Sequence, residues 1–114
     1  MDYNAIKQEA KALAHKAGKD WLDTYYHGQD AGMCGFAWVN IRPANKGNTK
    51  AGKEERKVLR SMGFELDWTG KEFQWWNPSG LGCQNVDAKV EGARVAERVL
   101  RSYGFHAYTG FRLD

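Results

Sequence analysis

The segment Val58-Leu59-Arg60-Ser61-Met62-Gly63-Phe64 recurs as Val99-Leu100-Arg101-Ser102-Tyr103-Gly104-Phe105, the two copies differing only at Met62 and Tyr103. Each copy reads as the end of an amphipathic helix, a glycine that caps it in the left-handed region, and an aromatic residue that starts a strand. Thr-Gly follows soon after in both, as Thr69-Gly70 and Thr109-Gly110. Any helix–glycine–strand junction has this outline, but the exact Val-Leu-Arg-Ser identity in a chain of 114 residues favours a fold made of two similar halves. Residues 1–114 are read as a single domain, with a helical extension over 1–30 and a core over 35–113.

Filling in the halves gives the element order. Ile6, Ala10, Leu13 and Ala17 share one face of a helix over 3–17, which Trp21 extends; Gly18 is expected to end or bend it before a short second helix over 20–28. Phe36–Ile41 alternates and is rich in strand formers, and a polar loop follows. A helix over Ala51–Met62 leads to strands Phe64–Trp68 and Glu72–Trp76 around a Thr69-Gly70 turn. After a loop at Asn77–Gln84, with Asn85 as N-cap, come a helix over Val86–Tyr103 and a last strand starting at Phe105. Without the extension this is β-α-β-β-α-β, the ferredoxin-like split βαβ pattern. It is an α+β fold with a four-stranded antiparallel sheet and two helices on one face.

Alternation sorts the aromatic residues. Ala37, Val39, Ile41, Phe64, Leu66, Trp68, Phe73, Trp75, Phe105 and Ala107 fall on the helix-covered side. Phe36, Trp38, Trp76 and Tyr108 fall on the other, ringed by Asn40, Gln74, His106, Glu65 and Asp67. Exposed aromatics on such a sheet stack bases in RNA-recognition modules. However, EFQWW lacks the expected RNP1 pattern, and Glu65 and Asp67 oppose a polyanion. A bare patch of this size is rare on a monomer. The N-terminal helix is therefore expected to lie across this face, with a second copy of the chain as the other cover.

Charge is uneven. Arg42, Lys46, Lys50, Lys53, Arg56, Lys57 and Arg60 stand against Glu54 and Glu55, a local +5 in a chain of net charge +3. Placed where a strand leads through a loop into a helix N-terminus, such a block attracts nucleic acid or another polyanion. Gly47-Asn48-Thr49-Lys50-Ala51-Gly52-Lys53 fits G-x-x-x-x-G-K, but Glu54 stands where the Mg²⁺-binding hydroxyl is required, which argues against nucleotide hydrolysis. His15, His27, His106, Cys34 and Cys83 show no ligand spacing, so neither metal nor cofactor is expected. His27 and Cys34 lack a third orienting residue, and no catalytic residue is assigned. Two cysteines are too few for a disulfide framework, and no apolar run suits a membrane span or a secretory signal. A cytoplasmic protein without membrane contact is expected.

Cys34-Gly35-Phe36-Ala37-Trp38-Val39, Gln84-Asn85-Val86-Asp87-Ala88-Lys89-Val90 and the terminal Phe111-Arg112-Leu113-Asp114 resemble a set of small uncharacterised proteins encoded in bacteriophage genomes. The resemblance covers about residues 32–114 and carries no established activity. It implies an accessory protein in the cytoplasm of a bacterial host. The expected function is non-enzymatic binding of nucleic acid through the Arg42–Arg60 surface. The alternatives are a protein-interaction module that inhibits or redirects a host or defence protein and, more remotely, an enzyme acting on a nucleotide.

Overall fold

The computed structural model describes all residues, 1–114. Numbered in chain order, the elements are α1 (Tyr3–Tyr26), β1 (Gly35–Ile41), α2 (Lys50–Ser61), β2 (Glu65–Leu66), β3 (Phe73–Trp76), α3 (Val86–Ser102) and β4 (Ala107–Leu113). This is an α+β fold of three helices and one antiparallel sheet with strand order β2-β3-β1-β4.

The repeated heptapeptide is a capping device used twice. After α2, the Phe64 N–H bonds to the Leu59 carbonyl at 3.2 Å and the Gly63 N–H to Arg60 at 2.9 Å; after α3, Phe105 bonds to Leu100 at 3.1 Å and Gly104 to Arg101 at 3.0 Å. These pairs form the Schellman pattern. Its left-handed position is supplied by Gly63 (φ 89°) and Gly104 (φ 96°). The hydroxyls of Ser61 and Ser102 each donate to the carbonyl three residues back at 2.6 Å. Leu59 and Leu100, one in each copy, are fully buried. The identity of the two segments thus reflects one hydrogen-bond pattern required at both helix–strand junctions.

The helix-covered core joins Ala37, Val39 and Ile41 of β1 to Phe64, Phe73, Leu59, Met62, Leu100 and Ala107. Register follows alternation. Ile41 pairs with Phe73 and Val39 with Trp75, so Trp38 pairs with Trp76 and Asn40 with Gln74 on the opposite face. Leu66 opposes Phe73, and the Asp67 N–H closes on the Glu72 carbonyl at 2.9 Å, leaving a four-residue turn around Thr69-Gly70.

The N-terminal extension departs from expectation. It is one helix of 24 residues that runs through Gly18, and it buries Ile6, Ala10, Ala14, Gly18 and Leu22 rather than Leu13 and Ala17. These residues form a single i+4 ridge. On α3 the ridge Ala88, Gly92, Ala96 and Leu100 is likewise buried. Narrow ridges of this kind pack into each other's grooves. The approach leaves no room for side chains: a Cβ at Gly18 would meet the Ala88 carbonyl oxygen at 3.0 Å, and one at Gly92 the Ala14 carbonyl oxygen at 2.9 Å. Lys7 Nζ donates to the Met62 carbonyl at 2.8 Å and lies 4.7 Å from the Trp75 ring centroid, and Tyr3 packs edge-on to Phe105. The extension therefore belongs to the helix layer and does not cover the aromatic face of the sheet. That layer holds three helices rather than two.

Two strand boundaries also move. β2 is only two residues long, and Trp68, expected in the core, is 94% exposed at the hairpin tip. The last strand continues through Gly110 to Leu113.

The α1–α3 seam generates a prediction. Gly92→Val forces branched carbons against the Ala14 backbone, so urea unfolding should show a loss of about 1–3 kcal/mol. An unchanged midpoint would mean that the helices are not this close.

Candidate nucleic-acid interface

β1 is the central strand that carries the aromatic face. Phe36 and Trp38 project from it beside Trp76 of β3, with ring centroids 6.3 Å apart for Phe36–Trp76 and 5.0 Å for Trp38–Trp76. The Trp38 indole lies across Gly110 of β4, where an added Cβ would sit 2.5 Å from Nε1. Glycine in mid-strand is therefore needed for the ring to lie over the sheet. Trp76 is 49% exposed, and Tyr108 is also exposed. Arg112 lies 5.4 Å over the Phe36 ring and Arg42 lies 5.8 Å over that of Tyr108. Lys89 reaches Phe36 from α3 and donates to the Gly35 carbonyl at 3.0 Å, which satisfies a buried ammonium.

Beside the rings runs a hydrogen-bond relay of fixed direction. Trp76 Nε1 donates to Gln74 Oε1 at 2.7 Å, Gln74 Nε2 to Asn40 Oδ1 at 3.1 Å, and Asn40 Nδ2 to Glu72 Oε1 at 2.9 Å. The Tyr108 hydroxyl also donates to Glu72, and Arg42 Nε donates to its other oxygen at 3.0 Å. An indole N–H only donates and an ionised carboxylate only accepts, so the two ends dictate the orientation of both amides. Burial alone would raise the Glu72 pKa. The hydrogen bonds from Tyr108, Arg42 and Asn40, with the charge of Arg42, outweigh it and hold the carboxyl below its ordinary value of 4.5. The same carboxylate, through its hydrogen bond, pushes the Tyr108 phenol above 10.0.

The seven cations of the basic block have separate fates. The Glu55 carboxylate accepts from the N–H groups of Ala44 and Asn45 at 2.7 and 2.9 Å. Arg56 Nη1 donates to the carbonyls of Asn45 and Gly52 at 2.9 and 3.0 Å. Both residues thus clamp the loop onto α2. Arg42 is paired with Glu72, and Arg60 lies 5.4 Å over the Phe73 ring. Lys46, Lys50, Lys53 and Lys57 remain exposed, and none enters any of the chain's three ion pairs. The G-x-x-x-x-G-K stretch is a capped helix start, with the Thr49 hydroxyl accepting from the Gly52 N–H at 3.0 Å.

Other features noted from sequence have structural roles. Asn85 is the buried N-cap of α3, accepting from the Ala88 N–H at 2.8 Å. His27 is the left-handed C-cap of α1. Cys34 is exposed, whereas burial pushes the Cys83 thiol up. A cleft of about 440 Å³ opens between α2 and the α3–β4 junction, walled by Tyr3, Ile41, Val58 and Phe105. Neither buried polar atom left without a hydrogen-bond partner, Trp21 Nε1 or Thr109 Oγ1, lines it.

Sequence reasoning missed three contributors. Arg112 and Gly110 lie past Tyr108, where alternation alone assigns no faces, and Glu72 reads in the sequence only as a strand start. The signal for Glu72 is its position after the turn, which places it beside Asn40 and Tyr108 once the register is set. Comparison with protein-family models, curated proteins and solved structures finds no match to this chain.

The relay makes stability depend on pH. Because the folded-state pKa of Glu72 is depressed, its contribution is complete above the ordinary value of 4.5 and is lost as pH falls through the lower folded value. The gap in urea midpoint between the native chain and Glu72→Gln should therefore be largest near neutrality and narrow below pH 4.5. A gap that widens on acidification would contradict the relay.

Proposed function

We propose that this protein is a small non-enzymatic nucleic-acid-binding domain. On this reading the β-α-β-β-α-β core is ferredoxin-like, and the strand–loop–helix surface from Arg42 to Arg60 meets the polyanion backbone. The observation that carries the proposal is the set of four exposed lysines, Lys46, Lys50, Lys53 and Lys57, none in an ion pair and with Glu54 the one exposed acid among them, on a loop and helix locked together by Glu55 and Arg56. Lys50, Lys53 and Lys57 follow i, i+3, i+7 spacing and share one helical face. Solvated lysines fixed on one surface suit sequence-independent phosphate contact, where affinity comes from released counterions. A bacteriophage accessory protein in a bacterial cytoplasm, the setting that the sequence resemblance implies, is compatible with this role.

Changing Lys46, Lys50, Lys53 and Lys57 together to Ala should leave the fold intact, since none has a structural partner. It should also weaken binding to a generic oligonucleotide. If all four contact phosphates, the slope of log affinity against log salt falls by about 3, at roughly 0.7–0.9 per contact. An unaltered affinity and slope would remove the proposal.

A further inference from the structure

We infer that the open sheet face stacks the unpaired bases of a single strand, so that the domain selects single-stranded over duplex nucleic acid. This inference rests on the nucleic-acid reading and adds the class of ligand. Trp38 and Trp76 form adjoining aromatic surfaces on the two middle strands, with centroids 5.0 Å apart, and α1 is held elsewhere by α3. Bases stack on such rings whatever their sequence, whereas bases inside a duplex are already stacked.

Charge complementarity favours this occupant. Arg112 enters none of the three ion pairs, and its guanidinium sits over Phe36 at one end of the platform. At the other end Arg42, its side chain largely exposed, engages Glu72 through Nε and turns the rest of its guanidinium toward solvent over Tyr108. The acids of this face are mostly engaged. Glu72 is matched by Arg42 and the Tyr108 hydroxyl, and the Asp67 carboxylate is occupied by the Thr69 N–H and hydroxyl at 3.1 and 2.6 Å. Glu65, opposite Gln74 on the edge strand β2, marks the side from which a polyanion backbone is turned away. A protein partner, or a second copy, would bury the Arg112 guanidinium and the relay, and would have to supply a matching acid.

The test compares a fluorescein-labelled single strand with a duplex of equal length by anisotropy, using the full chain and Trp76→Ala, Trp76→Phe and Arg112→Ala variants. Native protein should prefer the single strand. Trp76→Ala should weaken single-strand binding about tenfold or more while leaving duplex binding within about twofold, and Trp76→Phe should restore most of the loss. Arg112→Ala should lower the single-strand salt slope by about 0.7.

Photo-crosslinking of native protein to an oligonucleotide bearing 5-iodouracil gives a readout independent of any variant. Adducts on Phe36, Trp38 or Trp76 support the inference, and adducts confined to the Lys46–Lys57 region overturn it. If Trp76→Ala leaves single-strand affinity unchanged while the lysine changes reduce it, the stacking site falls and the basic-surface reading stands. If native protein binds neither probe, both fall. A dimer in sedimentation that Trp76→Ala dissociates would assign the face to a second copy and overturn the inference.

Discussion

The seam between α1 and α3 decides what the rest of the molecule presents. Two i+4 ridges, Ile6-Ala10-Ala14-Gly18-Leu22 and Ala88-Gly92-Ala96-Leu100, consist largely of residues with little or no side chain. Their helices approach until the backbone itself is in contact, and that fit fixes α1 in the helix layer. A wide aromatic patch offers no matching groove for so narrow a ridge. The sheet thus keeps one face packed under three helices and the other open, an arrangement antiparallel sheets tolerate.

β1 converts that placement into the candidate site. Its inward residues are Ala37, Val39 and Ile41, all buried, while its outward residues Phe36, Trp38 and Asn40 organise everything on the open side. Trp38 packs over Gly110 and against Trp76, and Asn40 joins the relay from Trp76 to Glu72. Because Glu72 accepts from three side chains, the polar groups beside the rings are already oriented. Ligand binding would then involve little ordering of side chains, the usual advantage of a preorganised site. The far edge is also managed. The Glu97 carboxylate accepts the outward N–H of Thr109 at 2.7 Å, which interrupts the free edge of β4 and discourages strand addition.

Much of this was legible from residue order because local chemistry and tertiary structure agree. The repeated heptapeptide marks both helix ends, and alternation in Phe36–Ile41 and Phe73–Trp76 assigns faces correctly. The failures share physical causes. The expected α1 stripe, Ile6, Ala10, Leu13 and Ala17, holds for Ile6 and Ala10 and then steps aside by one residue to follow the large apolar Leu13, whereas the seam keeps the i+4 row through Ala14 and Gly18, where the backbones meet. Trp68 was carried into the core by extending alternation past a strand that ends at Leu66. Gly110 has no role that residue order reveals, and only the position of Trp38 shows why glycine occurs there inside a strand. In the basic block, charge alone did not separate Arg56, which closes the loop, from the four lysines left to solvent.

The most direct test of the account is a ¹H–¹⁵N NMR titration of the full chain with a short single-stranded oligonucleotide. The account predicts large shifts at the indole N–H signals of Trp38 and Trp76 and at the Gly110 amide, with the α1–α3 seam amides of Ala14 and Gly92 unmoved. Shifts confined to the Lys46–Lys57 segment, with both indoles silent, would contradict the claim that the open sheet face stacks the bases of a single strand.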